Sequence, residues 1–558
     1  MAVAKRIERW MASTFSGEDS MRKPTALISV FDKTGIVELA RGLVDLGWDI
    51  ISSGGTAKAL RAAGLEVRDV AELSGLAAIL DHRVVTLVPQ VHAGLLALDK
   101  PEHDADRAKI NAPCIDMVCV NLYPLEAAIA KPDATTASVI ESTDIGGPTL
   151  LSSAAKGRRV VICDPADYGR VLAWLKEDRP NTETFVTELC AKADGMVAGY
   201  RLASARYHSS GAIEGMIGTR VATCKYGENA WQTPAGLYSY CTDDTLALDK
   251  FELVQGQPPS FINWCDVDRM LQTVTHIAAA FDESHQEVPS IAIGVKHGNP
   301  CGVGISDYGR PQEIENSLMR MIEGDTRAIF GGFVMTNFSV NEYLADILLS
   351  HGTKNLHQRL LDGIVAPNFT DNAVKMLKRK GDKCRLLVNP ALKNLDSGSL
   401  DRSRRLRQVR GGFLAQPNYT YIPELYRHVQ GTVISLNAFY DLLLAWAVGS
   451  TSNSNTITLV KNGKLIGNGV GQQDRVGAAR LALQRACDAG HDVHGAVAYS
   501  DSFFPFPDGP QALIDNGITT IMATSGSVND KLTIELCEKH DVKLILIPDA
   551  ESRGFFGH

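Results

Sequence analysis

Lys296 and His297 stand side by side in the run Ile291-Ala-Ile-Gly-Val-Lys296-His297-Gly298-Asn299-Pro300-Cys301-Gly302. The apolar residues before them read as a buried strand, and the Gly/Asn/Pro/Gly break ends it. Both side chains therefore emerge at a sheet edge, where layered α/β folds keep their chemistry. An imidazole titrates near neutrality and two adjacent cations repel. The pair thus suits a general base, His297, beside a group that stabilises developing negative charge, Lys296. The plain structural alternative is a strand that happens to end in Lys-His. A second stretch, Ser52-Ser53-Gly54-Gly55-Thr56, follows the strand Asp49–Ile51 and opens a helix. Glycines let amides converge there and a helix N-terminus adds positive potential, so Ser53 to Thr56 can cradle a phosphate, with Lys33 supplying charge. An ordinary strand-to-helix turn has the same residue types.

The elements that must position these groups are legible in part. Ala26–Val30 reads as a buried strand, and Ile36, Leu39, Leu43 and Leu46 recur at helical spacing before Gly47. With Asp49–Ile51 they make a βαβ unit. Val160–Cys163 closes that sheet, and a long helical stretch runs to about residue 215. A helix around Leu442–Val448 leads to Ser454-Asn455 and the strand Thr456–Val460, and Asn462-Gly463 marks a hairpin turn. Lys375 to Lys383 reads as a solvated helix face. Ile7, Trp10 and Met11 suggest a short amphipathic helix in an N-terminal extension of residues 1–24, to which no function is assigned.

At 558 residues, 22% charged and 45% hydrophobic, the chain needs more than one core. A formal net charge of −8 does not favour non-specific nucleic-acid binding. The eleven cysteines are scattered without a CxxC pair, which argues against a disulfide framework or a zinc knuckle and for a reducing compartment. No secretory signal or membrane-length apolar run is present, so a cytoplasmic protein without membrane contact is expected.

Lys-His-Gly-Asn-Pro-Cys-Gly resembles the Lys-His-Ala-Asn-Pro-Cys-Gly motif of the bifunctional family that joins aminoimidazole carboxamide ribonucleotide (AICAR) transformylase to inosine monophosphate (IMP) cyclohydrolase. Ser-Val-Phe-Asp-Lys-Thr-Gly from Ser29 and Ser-Gly-Gly-Thr-Ala-Lys-Ala-Leu from Ser53 resemble the start of its cyclohydrolase half. Asn121-Leu-Tyr123-Pro, Thr143-Asp144-Ile-Gly-Gly and Asp164-Pro-Ala-Asp-Tyr continue the likeness. Lys225-Tyr226-Gly, Phe261-Ile-Asn263-Trp-Cys-Asp266, Phe330-Gly331-Gly, Asp362-Gly-Ile-Val-Ala-Pro, Gly467 to Arg475, and Ser500-Asp-Ser-Phe503-Phe-Pro-Phe506-Pro-Asp508 carry it through the second half. In Arg83-Val-Val85-Thr86-Leu-Val88-Pro, Val85 and Val88 replace the family's Lys and His, and that Lys is implicated in ring closure.

The resemblance implies a methylglyoxal-synthase-like cyclohydrolase domain over 25–220, then a transformylase domain of two cytidine-deaminase-like α/β layers over 221–558. It implies formyl transfer from 10-formyltetrahydrofolate to AICAR, then cyclodehydration of the formamido product (FAICAR) to IMP. Lys296, His297 and Asn455 would carry the transfer, and Tyr123, Asp144 and Lys156 would surround the cyclising groups. Ser29, Lys33, Ser53, Gly55, Thr56, Arg83, Thr86 and Asn121 would bind nucleotide in the first half. Lys225, Tyr226, Asn263, Gly331, Asp362, Phe503 and His558 would do so in the second, and Phe506 and Asp508 would meet the folate. The zinc ligands of a deaminase are missing from the pattern, so no catalytic metal is expected, and a homodimer is implied. Three readings follow: the bifunctional enzyme, a transformylase whose first domain does not cyclise or acts on a related nucleotide, and a nucleotide-binding protein without turnover. Val85 divides the first two.

Overall fold

The computed structural model describes residues 22–80, 83–240, 243–307, 309–310, 313–353, 358–429 and 434–557. The expected helix around Trp10 and the residue His558 lie outside these. The chain forms two compact units, 1–219 and 220–558.

In the first unit, β1 (Thr25–Ile28), α1 (Ile36–Asp45), β2 (Asp49–Ser52), α2 (Gly54–Ala62), β3 (Arg68–Asp69), β4 (Met117–Cys119), α3 (Gly146–Lys156), β5 (Val160–Ile162) and α4 (Thr182–His208) build a parallel sheet of order β3-β2-β1-β4-β5. Every pairing in it is parallel. Strands covered on both faces must be apolar throughout, and β1, β4 and β5 are buried at each residue. The α1 stripe of Ile36, Leu39, Ala40 and Leu43 seals one face.

The second unit is organised by an eleven-stranded sheet. Its strands are β6 (Glu252–Gln255), β7 (Ile291–Lys296), β8 (Asn299–Ile305), β9 (Phe333–Thr336), β10 (Gly363–Ala366), β11 (Arg385–Val388), β12 (Ile457–Lys461), β13 (Lys464–Gly469), β14 (Val497–Ser500), β15 (Thr520–Ser525) and β16 (Lys543–Pro548). Their order is β16-β15-β14-β12-β13-β8-β7-β9-β10-β11-β6. The sheet is two copies of one plan: a hairpin (β7-β8, β12-β13), a third strand antiparallel to its first strand (β9, β14), then two parallel strands. The copies meet along β8 and β13, with Gly304 opposite Lys464.

Helices α5 (Phe261–Glu283) and α7 (Leu436–Ser450) precede the two hairpins, and α6 (Ile314–Gly324) and α8 (Arg475–Asp488) follow them. α5 and α7 are buried around most of their circumference, and the surrounding cluster includes Trp264, Phe333, Trp446 and Tyr499. The α7 helix is longer than its apolar centre suggested, because Ser435 caps its start through the Ala438 amide at 3.2 Å. The basic stretch from Lys375 is not one helix face: that helix ends at Leu377, and the later lysines lie in the turn before β11.

Candidate functional site

In the first unit, Ser53 precedes α2 in extended conformation and Gly54 turns at φ +52°. A Cβ on Gly55 would lie 3.6 and 3.8 Å from Cε and Nζ of Lys33. The ammonium thus stands over the first turn of α2, where amides and helix dipole already favour an anion. Lys33 also donates to the carbonyls of Val30 and Phe31, at 3.3 and 3.0 Å. Two expected nucleotide ligands have their side chains engaged locally. The Thr56 hydroxyl accepts from Val30 N–H at 3.1 Å and donates to Val30 O at 3.0 Å. Asn121 Oδ1 accepts from the amides of Phe31 and Asp32, at 2.6 and 3.0 Å, and its Nδ2 donates to Asp32 O. These residues shape the cradle and leave backbone amides for a ligand. Ser29 is half-buried, and its amide donates to Cys119 O.

Tyr123 is 45% exposed and meets Phe31 edge-on at 5.2 Å. Its phenol is pushed up by burial and by the charge of Asp144. The Asp144 carboxyl is itself raised by burial, against the amides of Gly147, Tyr123 and Gly146 and the charge of Arg201. It accepts from Gly147 N–H at 2.8 Å, while the Asp144 amide donates to the Tyr200 oxygen at 2.6 Å. Buried Thr86 adjoins Gly146, and Arg83 is ion-paired to Glu141. Val85 is half-buried, and Val88 has joined the core as the residue before the helix Pro89–Leu96.

Lys156 is expected from the resemblance to stand with Tyr123 and Asp144 around the cyclising groups. It is the exposed last residue of α3, roughly 15 Å along the helix from Gly146 at 1.5 Å per residue, and it lines a shallow concavity with Ser152, Ser153 and Arg201. The structure groups Tyr123, Asp144 and Thr86, and Lys156 shares its concavity with Arg201, whose charge acts on Asp144. Tyr200 and Arg201 were not foreseen, since nothing in the pattern of a long helix singles out its partner-facing residues.

In the second unit, Lys296 ends β7, and His297 and Gly298 form the turn at φ +54° and +71°. Two left-handed residues match a type I′ hairpin. A histidine in that conformation costs roughly 1–2 kcal/mol, a strain of the kind found at functional sites. Gly298 N–H donates to Asp266 Oδ1 at 2.8 Å, and Lys296 Nζ donates to Phe330 O at 2.7 Å. Gly331 follows at φ +74°, its would-be Cβ 4.0 Å from that Nζ. Val295 pairs with Phe333, and Asp362 N–H reaches Gly332 O at 3.0 Å, so Gly331 and Asp362 share the edge with Lys296. Asp362 is bound by Arg379 at 3.1 Å. Asn263 is buried and caps α5, accepting from Ser260 N–H at 3.0 Å; its carbonyl serves the helix start.

The second repeat brings its residues to the same edge. Asn453 N–H donates to Asn299 Oδ1 at 3.3 Å, Arg269 donates to Asn453 Oδ1 at 3.1 Å, and Arg269 is also bonded to Thr451 O. Asn455 exchanges backbone bonds with Gln472 at 3.1 and 3.2 Å, and its Nδ2 donates to Gln472 O at 2.9 Å. Ser500 pairs with Ile457, which carries the aromatic stretch to this edge. Phe504 is buried, Phe506 is 61% exposed, and Asp508 borders an open concavity of about 450 Å³ with Gln511, Leu532 and Lys539. The Arg553 guanidinium lies 5.6 Å from the Phe503 ring and is paired with Asp549 at 2.5 Å. Lys225 is exposed, its ammonium 6.0 Å from the Tyr226 ring.

A groove of about 260 Å³ borders Lys296, His297, Asn299, Asp325, Asn468 and Arg485. A larger cavity of about 600 Å³ lies at the counterpart turn Asn462-Gly463. Of the two, the smaller groove is the one that borders the Lys-His pair. Among the described residues, no group of three or more His, Cys, Asp or Glu side chains is placed to hold a metal ion, and no helix is long and apolar enough to cross a membrane.

An anion cradle at the edge of a parallel sheet, followed by a duplicated hairpin-led sheet with a strained Lys-His turn, defines a methylglyoxal-synthase-like domain fused to a deaminase-like α/β enzyme unit. Residues 35–149 match the MGS-like domain model and 154–485 the AICARFT/IMPCHase bienzyme model. The bifunctional purine biosynthesis protein PurH of Bacillus cytotoxicus is 35% identical over 539 residues, 94% of this chain and 98% of that protein. PurH of Bacillus cereus strain AH820 is 35% identical over 540 residues, with the same shares. A solved structure titled "Crystal structure of ForH" is 32% identical over 34% of this chain and 100% of its own, with a TM-score of 0.31 that carries no weight. The chain belongs to the AICARFT/IMPCHase bienzyme family.

Proposed function

We propose that this chain catalyses the two closing steps of purine ring assembly. The second unit transfers formyl from 10-formyltetrahydrofolate to the 5-amino group of AICAR, and the first cyclises FAICAR to IMP with loss of water. The observation that supports the reading is the Lys296-His297 turn with the Asn453 amide, two residues before Asn455, bonded to Asn299 Oδ1, within a chain of this family. The amine of AICAR is conjugated with the carboxamide and is a poor nucleophile, so orientation and base catalysis must do most of the work. His297 takes the amine proton as nitrogen attacks the formyl carbon, and returns it to N10 of the folate as the C–N10 bond breaks and tetrahydrofolate leaves. Lys296 and the Asn455 amide stabilise the oxygen that gains charge, once Asn455 exchanges its Gln472 bond for substrate. Phe503, Phe506 and Asp508 offer ring surface and an acceptor to substrate and folate. In the first unit the Lys33 cradle holds phosphate, and Tyr123 and Asp144 meet the closing ring. A cytoplasmic homodimer goes with this reading. In its support, the hairpin 404–417 is exposed along most of both strands, and a two-stranded ribbon is marginal without a partner surface.

The purified protein, given AICAR and 10-formyltetrahydrofolate, is expected to release tetrahydrofolate, and His297→Ala to lose at least a hundredfold in kcat. Unchanged turnover in that variant would sink the assignment. Light scattering on the same preparation is expected to give twice the chain mass of 60.3 kDa.

A further inference from the structure

The duplication of the second unit supplies an internal reference for the catalytic turn. Lys296-His297-Gly298 corresponds to Lys461-Asn462-Gly463: in each the lysine ends the first strand of its repeat and two left-handed residues follow, at φ +54° and +71° in one and +54° and +70° in the other. Beneath each turn lies an aspartate at the sixth position of the preceding helix, Asp266 in α5 and Asp441 in α7. In the second repeat both carboxylate oxygens are occupied: Asp441 Oδ1 accepts from Gly463 N–H at 2.6 Å and Oδ2 from Asn462 N–H at 2.7 Å. In the first repeat only Oδ1 is occupied, by Gly298 N–H at 2.8 Å. Oδ2 of Asp266 has no hydrogen-bond partner among the described residues. The same clamp therefore leaves one anionic oxygen uncommitted at the turn that bears a base.

We infer that Asp266 is a positioning residue of the transformylase site: one oxygen fixes the Lys296-His297 turn, and the free oxygen supplies negative charge that favours His297 when it takes the proton of the attacking amine. This deepens the proposed formyl transfer and rests on it. Asp266 lies within electrostatic reach of His297, with Arg269 and Asp362 as its other charged neighbours. An anion beside an imidazole orients it and stabilises the imidazolium, as in acyl-transfer triads. In the second repeat, Asn462 has no proton to accept, and Asp441 only holds backbone.

The test is steady-state formyl transfer by Asp266→Asn, Asp266→Glu and Asp441→Asn, beside His297→Ala and the unmodified enzyme. Asparagine can keep the Gly298 bond and lose the charge. Asp266→Asn is expected to lower kcat at least tenfold with KM for AICAR within threefold, and Asp266→Glu to retain more activity than Asn. Asp441→Asn is expected to keep kcat while lowering the unfolding temperature. Wild-type kcat in Asp266→Asn, equal losses in Asp266→Asn and Asp441→Asn, or a glutamate variant no better than asparagine would overturn the inference. Absence of transfer by the unmodified enzyme, or full activity in His297→Ala, would instead overturn the proposed reaction itself.

Discussion

Val85 is the residue at which this chain departs most consequentially from its family pattern. Ring closure places negative charge on the former formyl oxygen before water leaves, and a valine offers that oxygen neither cation nor donor. The neighbouring Thr86 adjoins Gly146, and with that turn go polar groups: Asp144 with its carboxyl raised by burial, Tyr123 with its phenol raised by burial and by Asp144, the Tyr200 oxygen on the Asp144 amide, and Arg201. Burial makes the Asp144 carboxyl easier to protonate than an exposed one, and a carboxyl that takes up a proton can donate to the departing oxygen, as a carboxylate cannot. Removal of one donor from such a site commonly costs about 10²–10³ in rate, so a newly placed lysine at an unoptimised angle should return about tenfold. Val85→Lys is therefore expected to cyclise FAICAR, supplied without folate, about tenfold faster by absorbance of IMP. An unmodified protein already fast and unmoved by the substitution would assign the step to the Asp144 cluster. The place of Lys156 at the opposite end of α3 from Gly146 was not legible in the sequence, because a motif gives order along the chain and not the helix that spans it. The engagement of Thr56, Asn121 and Asn263 was hidden for a related reason. Their types suit a ligand, but each backbone amide they satisfy is an obligation that only the folded chain reveals.

Elements were readable where backbone geometry dictates residue type, and unreadable where it permits many. Asn462-Gly463 announced its hairpin because two left-handed residues admit few side chains. The duplication of the sheet did not announce itself, although it sets the whole second unit. Its copies agree at few positions, most of them constrained: the serine that caps each preceding helix, the aspartate beneath each turn, the valine and lysine before it, the glycine within it, and a pair of glycines on each second strand. Those glycines have a common cause. A Cβ on Gly302 would overlap Met321 O, and one on Gly467 would overlap Ala482 O, so α6 and α8 rest directly on the backbones of β8 and β13. Elsewhere apolar residues interchange freely, which removes the repeat from view while keeping the fold. Gly302→Ala and Gly467→Ala are each expected to cost about 1–3 kcal/mol, read from the urea midpoint of the second unit. A neutral result at either would mean that its helix can move away from the sheet.

At the scale of the whole molecule, each unit has its own hydrophobic core, and the two should differ in how acid undoes them. The core of the second unit encloses His276, fully buried, its ring parallel to Tyr419 at 5.6 Å and tilted against Trp446 at 5.8 Å. Nδ1 bonds Gln272 O at 2.7 Å, and the Tyr419 backbone also lies against the ring. Burial holds the imidazole neutral, pushing it down from 6.5 to about 4. Between those values the unfolded chain binds a proton that the folded one refuses, so stability is present above the unfolded value and falls as pH drops from about 6.5 towards 4. At about 1.4 kcal/mol per unit, the full window is worth about 3 kcal/mol. The first unit has His92 lowered in the same direction, but it is only half-buried and its response should be smaller. Calorimetry is expected to resolve two transitions, of which one falls markedly more between pH 7 and pH 5. His276→Phe keeps a ring between Tyr419 and Trp446 without the titrating nitrogen, so it should hold that transition near its place at pH 7 and flatten its descent on acidification. An equally steep descent in the variant would move the acid sensitivity to other groups, and a single transition would mean that the two cores unfold as one.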